Sequence, residues 1–371
     1  MSADTGSRDW YTRSELAKVG INARTTSGLV LTSPVADVVV PMSPEDLARA
    51  LTIGRETLTA AGLVADDRVV VALNSDGELS GALYAQAAAT VAEAVTSTGP
   101  RGRMRLLKVV EALRANVLVA TPSGAMDFLA RLHMEFLADP LDLELRLIVL
   151  VGEITDPRTY KHLAREFGAE IVELFADPLL GTPLAHRRPT GSDPSWQPTI
   201  EDTLLLARPE ADVAWEAPYP EGLAEYVVTH PWHDVLSGAI LRTGYLARVE
   251  GQTKALPAAA HTVGEHVLVR GRWLPVARLA GALRAIDGIT RPRLDIAREG
   301  TLDAATLRVT FGRASLTGNP MWKARIEQVI DAVTPVHVGV TVAEQVEETP
   351  LPIEVVDRRG QHLGLDRSSI V

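Results

Sequence analysis

The sequence contains no cysteine. Disulfide bonds, thiolate nucleophiles and thiolate metal ligands are therefore excluded. Basic residues are in the minority, and the formal net charge is -10 at pH 7. Because nucleic acids bind to basic faces, this charge argues against a nucleic-acid partner.

Long apolar runs are absent as well. The longest weakly charged run, residues 79–91, is too short to cross a bilayer. Residues 1–10 are polar and charged, without the apolar stretch of a secretory signal. These absences predict a cytoplasmic protein that does not insert into a membrane. The sequence also lacks the metalloprotease helix, the nucleophile elbow and the dinucleotide-binding glycine motif.

A chain of 371 residues is long for one hydrophobic core, so more than one domain is expected. Residues 251–254 (Gly-Gln-Thr-Lys) interrupt a series of strands, as a junction between two packed bodies does. We predict a large domain over residues 1–250 and a small C-terminal domain over residues 251–371. The hinge is placed at residues 250–254 with Lys254 in it, although an exposed linker lysine is the alternative.

Apolar β-branched runs alternate with helical segments between residues 38 and 175. The runs are nearly continuous, which is typical of strands that are buried on both faces. This order predicts an α/β fold with a doubly wound parallel sheet, whose ligand site lies at the carboxyl ends of the strands. The predicted strands span residues 38–40, 68–73, 93–98, 117–121, 145–151 and 170–175, and the predicted helices span residues 12–18, 44–61, 79–89, 103–114 and 122–132, with another beginning at 156.

The element order changes after residue 200. Residues 203–208, 212–216, 225–230 and 239–249 predict strands of a mostly antiparallel subdomain. Residues 266–344 then predict a β-α-β-β-α-β unit, which is a small α+β domain of ferredoxin-like type. Residues 350–371 show no clear pattern.

Six short segments carry a resemblance to a known family. They read VATPS at residues 119–123, VGE at 151–153, IED at 200–202, LAEYVVT at 223–229, LRTGYLA at 241–247 and VRGRWLP at 269–275. In this order and spacing they resemble the adenylate-forming superfamily, in particular its phenylacetate–coenzyme A ligase branch and the shortened members of phenazine-antibiotic pathways. The resemblance implies binding of ATP and Mg²⁺, activation of a carboxylic acid as its acyl-adenylate, and transfer to coenzyme A after rotation of the small domain.

The family's phosphate-binding loop is altered in this chain. Thr26, Ser27 and Gly28 keep the family pattern, but residues 29–31 (Leu-Val-Leu) are bulky and no lysine follows. A phosphate cradle needs small residues whose backbone N–H groups point at the ligand, together with a cation. The loop is therefore a remnant of a nucleotide site.

Three further contacts of the family are altered. The glutamate that holds Mg²⁺ falls at Asp177, and the ribose-binding aspartate falls at Tyr245, which cannot accept two hydrogen bonds as a carboxylate does. The C-terminal lysine is missing, and Arg358 and Arg359 supply the charge near its place. Because each such contact is typically worth several kcal/mol, ordinary ATP-dependent activation is expected to be impaired or lost. ATP, Mg²⁺ and coenzyme A are thus expected of the family, and no cofactor is assigned here.

The resemblance places an acid-binding pocket at strand ends and on the helix that follows. Ser and Asn at such positions also cap helices, which is the structural alternative. The predicted pocket residues are Asn74, Ser75, Tyr84, Ser123, Gly152, Glu153, Phe175 and Ala176.

Other candidates lie near the domain junction. Arg242, Thr243 and Tyr245 complete the nucleotide-site remnant, or they form a structural turn with an ion-paired arginine. His230 and Asp177 are the candidates for acid–base chemistry. A metal site at His230 and His233 is not expected, because Pro231 prevents a helix that would place both on one face.

Four functions stay open. The first is a divergent biosynthetic protein, in secondary metabolism, that binds an aryl or acyl carboxylate or its thioester. The second is a pseudoenzyme that holds a small acid, an acyl carrier or a pathway enzyme. The third is a ligase that is active despite atypical motifs. The fourth is ATP-independent acyl transfer with His230 or Asp177. A homodimer is expected from the resemblance.

Overall fold

The computed structural model describes residues 9–19, 28–32, 38–75, 80–99, 102–209, 211–300, 302–317, 320–362 and 365–370. The chain forms two compact units, Met1–Ala259 and Ala260–Val371. The boundary expected from sequence lies at residue 250, and the hinge role of residues 250–254 stays a prediction. Lys254 is exposed. Within the described ranges, no helix has both the length and the apolar character of a membrane span.

The large unit alternates strands and helices over most of its length. In chain order its strands are β1 (Asp9–Tyr11), β2 (Leu29–Thr32), β3 (Val39–Met42), β4 (Arg68–Ala72), β5 (Ala94–Ser97), β6 (Val117–Ala120), β7 (Leu147–Val151), β8 (Glu170–Ala176), β9 (Pro183–Arg187), β10 (Gln197–Pro198), β11 (Leu204–Ala207), β12 (Gly222–Thr229) and β13 (Ala239–Val249). Its helices are α1 (Arg13–Val19), α2 (Pro44–Ala60), α3 (Ser80–Ala89), α4 (Arg103–Leu113), α5 (Pro122–Arg131) and α6 (Pro157–Phe167), with a π-helical turn at Leu132–Phe136 and a 3-10 turn at Pro140–Leu143.

The main sheet of the large unit has seven strands in the order β10-β9-β8-β7-β6-β4-β5. Strands β5, β4, β6, β7 and β8 are parallel, whereas β9 and β10 close one edge in the antiparallel sense. Ligands bind to sheets of this kind at the carboxyl ends of the parallel strands. The predicted parallel sheet is confirmed.

Helices cover both faces of the main sheet. Ile148 and Leu150 of β7 face an apolar core shared with α4, α5 and α6. Leu147, Val149 and Val151 of the same strand face a second core shared with α2 and α3. This two-sided burial explains why the parallel strands read as continuous apolar runs.

Helix α2 begins where the sequence predicts. The Ser43 hydroxyl accepts a hydrogen bond from the Asp46 N–H (3.1 Å), and the Asp46 carboxylate accepts one from the Ser43 N–H (3.0 Å). Pro44 occupies the first helical position, where its missing N–H costs nothing. This reciprocal capping box fixes the start of the helix.

A second sheet of the large unit follows the order β1-β13-β12-β11. β11, β12 and β13 are antiparallel neighbours as predicted, and β1 adds a parallel strand at the edge. The strand predicted at residues 212–216 is wrong. There the Arg208 N–H donates to the Val213 carbonyl (3.0 Å), so the chain folds back in a tight loop with a single bridge between Ala207 and Ala214.

The elements that follow are mostly strands. They are β14 (Ala259–Thr262), β15 (His266–Val269), β16 (Arg272–Pro275), α7 (Val276–Arg284), β17 (Ile289–Glu299), β18 (Leu302–Phe311), α8 (Ala314–Thr317), α9 (Pro320–Asp331), β19 (Val338–Val346), β20 (Glu354–His362) and β21 (Leu365–Ile370).

The sheet of the small unit runs β19-β18-β17-β20-β21, and its core includes Leu279 of α7 and Ile326 of α9. The α+β class is confirmed, but the set of strands differs from the predicted one. Residues 266–269 do not join this sheet and instead form a hairpin, β15–β16. Its two loop residues, Arg270 and Gly271, both have positive φ (51° and 72°), as a two-residue hairpin of this handedness requires.

Residues 350–371 contain strands β20 and β21, so the expectation of no pattern there is wrong. Ile353 and Val355 are buried in the core. Arg359 breaks the apolar alternation because it is buried in ion pairs, with Asp303 (2.6 Å) and with both oxygens of Asp357 (2.9 and 2.7 Å). Charges inside a strand therefore hid its pattern.

Candidate functional site

A narrow cavity lies at the carboxyl ends of β7 and β8 in the large unit. Its open volume is about 40 Å³, which is room for a few water molecules. Gly152 begins the turn after β7 with a φ of 89°, a conformation that glycine adopts without strain. The lining residues are Gly152, Glu153, Ile154, Thr155, Glu173, Leu174, Phe175, Ala176, Arg187, Trp196, Tyr245 and Ala259.

Aromatic rings form one wall of this cavity. The Phe175 ring packs against Trp196, Tyr226 and Tyr245, with centroid distances of 5.6, 5.4 and 5.5 Å. The Tyr226 hydroxyl donates to the Pro257 carbonyl, and burial raises the pKa of Tyr226 well above its ordinary value. The ring contacts and this hydrogen bond fix the cluster as an apolar wall of the cavity.

A buried ion pair stands beside the aromatic wall. Glu173 of β8 and Arg187 of β9 are register partners, and their side chains are 5% and 8% exposed. The guanidinium of Arg187 lies 5.1 Å from the centre of the Trp196 ring. Burial raises the pKa of Glu173, while the charge of Arg187 opposes that rise.

Two donors at the cavity lack an acceptor. Nε of Arg187 and Nε1 of Trp196 are buried, and no described residue accepts a hydrogen bond from either atom. Buried N–H groups are nearly always paired in folded proteins, so two at one cavity are unusual.

The predicted pocket residues are partly brought together. Gly152, Glu153, Phe175 and Ala176 line the cavity. Ser123 does not line it, but its backbone N–H donates to the Glu153 carboxylate (2.9 Å) and its hydroxyl also contacts that group. Ser123 thus positions Glu153 across the ends of β6 and β7.

The other three predicted pocket residues lie elsewhere. Tyr84 is buried in the core between the sheet and α3. Asn74 is half-buried, and its carbonyl accepts a hydrogen bond from the Gly81 N–H (2.8 Å). Ser75 is exposed. None of the three lines this cavity.

Sequence reasoning missed Glu173, Arg187 and Trp196. The available signal was a charge inside an apolar strand, since Glu173 interrupts residues 170–175 (Glu-Ile-Val-Glu-Leu-Phe). Charged residues are rarely buried without a partner, and the partner here comes from β9, which was not predicted as a strand.

His230 and Asp177, the candidates for acid–base chemistry, do meet. Nε2 of His230 contacts Oδ2 of Asp177, and both residues are 1% exposed. The other oxygen of Asp177 accepts hydrogen bonds from the N–H groups of Leu179 (2.7 Å) and Leu180 (3.0 Å). Burial alone would raise the pKa of Asp177, but His230 and these two N–H groups lower it. The pair closes the turn between β8 and β9, and a catalytic role for it stays a prediction.

The R-T-G-Y segment of β13 lies where the pairing of β12 with β13 shifts register, next to Glu225 of β12. The Glu225 carboxylate accepts from Nη1 of Arg242 (2.6 Å) and from the Gly244 N–H (3.2 Å). The Thr243 hydroxyl donates to the Tyr226 carbonyl (2.7 Å) and accepts from the Tyr245 N–H (3.0 Å). The polar groups of Arg242 and Thr243 are therefore engaged within the fold, and a ligand role for them stays a prediction.

Replacing Glu225 with alanine is expected to lower the free energy of unfolding by about 2–3 kcal/mol, because Arg242 loses a largely buried partner. Urea unfolding measures the change. Asp212→Ala is the matched control, since Asp212 also contacts Arg242 (3.0 Å) but is 67% exposed, and it should cost less than about 1 kcal/mol. Equal effects from the two variants would contradict the conclusion that Glu225 is the main partner of Arg242.

Comparisons with known proteins support the fold. No protein-family model matches the sequence, and no curated protein matches it. Among solved structures, 2-hydroxyisobutyryl-CoA ligase in complex with 2-HIB-AMP and CoA has a TM-score of 0.79 at 16% identity, covering 95% of this chain and 80% of that chain. A malonyl-CoA ligase with methylmalonyl-CoA and AMP bound gives 0.61 at 14% identity, covering 86% and 71%. The amide bond synthetase McbA from Marinactinospora thermotolerans gives 0.63 at 15% identity, covering 86% and 66%.

The chain has the fold of the adenylate-forming ligases. At these identities the likeness concerns the fold. The phenylacetate–coenzyme A ligase branch stays a prediction.

The residues that the resemblance assigns to Mg²⁺-ATP do not fit that group well. Thr26 and Ser27 lie outside the described residues, and directly after Gly28 the chain forms β2, paired with β3, instead of a loop. Both oxygens of Asp177 already have partners within the fold, Oδ1 with two backbone N–H groups and Oδ2 with His230. Tyr245, which the resemblance aligns with the ribose-binding aspartate, packs its ring against Phe175. In the described part of the chain, no three His, Asp or Glu side chains converge as a metal site.

A second histidine makes the fold sensitive to pH. Nδ1 of His233 accepts hydrogen bonds from the N–H groups of Val235 (3.1 Å) and Leu236 (3.2 Å), so this ring is held neutral. Burial lowers the pKa of His233 below its ordinary value of 6.5, although Asp46 opposes the shift. The unfolded chain therefore binds a proton below pH 6.5 that the folded chain refuses, and stability falls as the pH falls through that window.

We expect His233→Asn to flatten this pH dependence. The amide oxygen of asparagine replaces the Nδ1 acceptor but does not titrate. Between pH 6.5 and 5, the slope of unfolding free energy against pH should decrease by up to about 1.4 kcal/mol per pH unit in the variant. Urea unfolding at several pH values measures the slope. An unchanged slope would show that His233 titrates normally in the folded protein.

Proposed function

We propose that this chain is a divergent protein of the adenylate-forming fold that binds a small aryl or acyl carboxylate, or its activated derivative, without ordinary ATP-dependent adenylation. One observation carries the proposal. Asp177 is the carboxylate at the Mg²⁺ position of the resemblance, and His230, Leu179 and Leu180 occupy its oxygens in a site that is closed to solvent. A carboxylate that is closed to solvent and held by three contacts within the fold is poorly placed to hold Mg²⁺-ATP.

Support for a small acid comes from the relatives and from the cavity. The solved relatives bind 2-HIB-AMP with CoA, or methylmalonyl-CoA with AMP, which are derivatives of small carboxylic acids. The cavity combines an aromatic wall with the charged side chains of Glu173 and Arg187, a pairing suited to an organic acid.

Isothermal titration calorimetry tests this proposal. Benzoate and butyrate are expected to bind, while Mg²⁺-ATP and AMP at millimolar concentration give no saturable heat. The carboxylates, titrated into the same preparation, serve as the control for folded protein. Saturable binding of Mg²⁺-ATP at submillimolar concentration would contradict the proposal.

The biological setting is the part of the proposal that rests on the resemblance alone. We place the protein in cytoplasmic biosynthesis, with an acyl carrier or a pathway enzyme as its protein partner and a homodimer as its assembly. Light scattering on the purified chain tests the dimer. Cross-linking with candidate carriers tests the partner. If the protein is a monomer and cross-links to no carrier, the proposal reduces to a protein that binds a free acid.

A further inference from the structure

Several buried polar atoms that lack a hydrogen-bond partner among the described residues meet at one cavity of the large unit: the donors of Arg187 and Trp196, the hydroxyl of Thr155 and the carboxylate oxygens of Glu173, which has Arg187 as its ion-pair partner. Arg187 and Trp196 are 7% and 8% exposed, and both line the cavity. Nε of Arg187 and Nε1 of Trp196 have no acceptor among the described residues. A buried N–H without an acceptor is unfavourable, so a structure that retains two at a cavity has room for an acceptor there.

The two donors belong to side chains that stack on each other. The guanidinium carbon of Arg187 lies 5.1 Å from the centre of the Trp196 ring. A carboxylate has two oxygens and about four lone pairs, and arginine is the side chain best matched to it. The open volume of about 40 Å³ suits a group of that size, and the aromatic wall at Phe175 and Tyr245 offers contact for an attached ring.

We propose that Arg187 and Trp196 bind the carboxylate group of a small organic acid, and that Glu173 takes up a proton from solvent when that acid binds. This inference rests on the proposed function, because it identifies the anchor for the same class of ligand. Arg187 and Trp196 are binding residues in this proposal, and Glu173 adjusts the charge of the site.

The charges at the cavity explain the proton. In the free protein, Arg187 is balanced by Glu173, so the pair is neutral. An added carboxylate would leave one unbalanced negative charge in a buried site, which is costly. Protonation of Glu173 restores neutrality and turns its carboxyl group from an acceptor into a donor.

The other groups that face Glu173 and Arg187 are not the ones that take up the proton. Tyr160 of α6 and Tyr226 of β12 face Glu173 or Arg187, and burial raises the pKa of both phenols, so they stay neutral. Thr155 also lines the cavity and does not titrate. Glu153 is half-buried, and its carboxylate accepts hydrogen bonds from the backbone N–H and the hydroxyl of Ser123. Glu173, already the more readily protonated by burial, is the remaining group.

Proton uptake gives the binding a defined pH dependence. If one proton enters with each carboxylate, affinity rises as the pH falls, by up to about tenfold per pH unit. The rise stops below the pH at which Glu173 of the free protein is already protonated. Glutamine has the same shape as glutamate but does not titrate. In Glu173→Gln, the affinity should therefore lose the pH dependence that protonation of Glu173 causes.

Calorimetric titration of benzoate in phosphate and in Tris buffer counts the protons, because the two buffers differ in ionisation enthalpy. Benzamide is the uncharged control ligand. We expect about one proton per benzoate in the wild type and none in Glu173→Gln. Trp196→Phe, which keeps a ring but removes the N–H, should weaken benzoate binding about tenfold.

Two further variants separate binding from folding. Trp232→Phe is the matched control, because Trp232 is also buried with an unpaired Nε1 but does not line the cavity, and it should bind benzoate as the wild type does. Single replacement of Arg187 would leave Glu173 unpaired and endanger folding. Glu173→Gln combined with Arg187→Gln avoids this and should bind about 10- to 100-fold more weakly than Glu173→Gln alone.

Formate is the second probe, because it carries the carboxylate without a ring or chain. Benzoate binding without proton uptake, and unaffected by Trp196→Phe, would overturn the anchor but leave the proposed function intact. Formate binding that depends on Trp196 and takes up a proton, with no benzoate or butyrate binding, would support the anchor and contradict the proposed function. Binding of neither probe would overturn the anchor and show that water satisfies the two donors.

Discussion

Replacing Asp177 with alanine is expected to lower the free energy of unfolding by about 3–5 kcal/mol, because the change leaves buried partners unpaired. His230 loses its partner in a site that is 1% exposed, and the N–H groups of Leu179 and Leu180 lose their acceptor. Urea unfolding followed by circular dichroism measures the loss.

Asp139→Ala is the matched control for Asp177→Ala. The Asp139 carboxylate also accepts a hydrogen bond from a backbone N–H, that of Leu141 (3.0 Å), but on the protein surface. Loss of such an exposed cap costs about 1 kcal/mol. If Asp177→Ala destabilised the protein no more than this control, the contacts of Asp177 with His230, Leu179 and Leu180 would contribute little to stability. Asp177 could then bind a cation.

Arg359→Ala is expected to have an effect of similar size in the small unit, about 3–5 kcal/mol. The side chain of Arg359 is 2% exposed and bonds to Asp357 and Asp303, so its removal leaves the buried carboxylate of Asp357 without a cation, while Asp303 keeps its ion pair with Arg298 (2.6 Å). The change should appear in the unfolding transition of the small unit. A side chain held in this way is part of the fold and cannot swing to a substrate as the family's mobile lysine does.

The neighbouring residue provides the control for Arg359. Arg358 is 55% exposed and lies 3.6 Å from Asp295, so Arg358→Ala should cost less than about 1 kcal/mol. If Arg359→Ala were as mild as Arg358→Ala, the ion pairs of Arg359 would be exposed to solvent in solution and its charge would be available to a ligand.

Much of the fold could be predicted because local signals agreed with the final packing. The capping box at Ser43 and Asp46 fixed the start of α2, and continuous apolar runs identified strands buried on both faces, such as β7. The failures came where partners distant in sequence decide the structure. Strand β20 was hidden because Asp357 and Arg359 are buried through ion pairs, one of them with Asp303 of β18.

The candidate site was harder to predict for the same reason. Gly152, Glu153, Phe175 and Ala176 follow from the rule that sites lie at strand ends, and they do line the cavity. The importance of Glu173 and Arg187 depends on their pairing across strands β8 and β9. The sequence did not predict β9 as a strand, so this pairing could not be foreseen. Trp196 lies in a polar loop whose sequence gives no sign that its ring is buried.

These features have a common functional consequence. Asp177 and Tyr245, which the resemblance assigns to Mg²⁺ and ribose, make contacts within the fold. Transition-state contacts of this kind each contribute about 10²–10³ in rate, so their combined loss should leave adenylation slower by many powers of ten. The cavity at β7 and β8 has an aromatic wall and a charged pair, which we propose bind a small acid.

ATP–pyrophosphate exchange with a panel of aryl and short-chain carboxylic acids tests the loss of adenylation most directly. With purified protein, Mg²⁺ and each acid, exchange should not rise above the rate of the reaction without acid. Acid-dependent exchange at about 1 s⁻¹ or faster, the pace of an ordinary enzyme, would contradict the proposed loss of ATP-dependent activation.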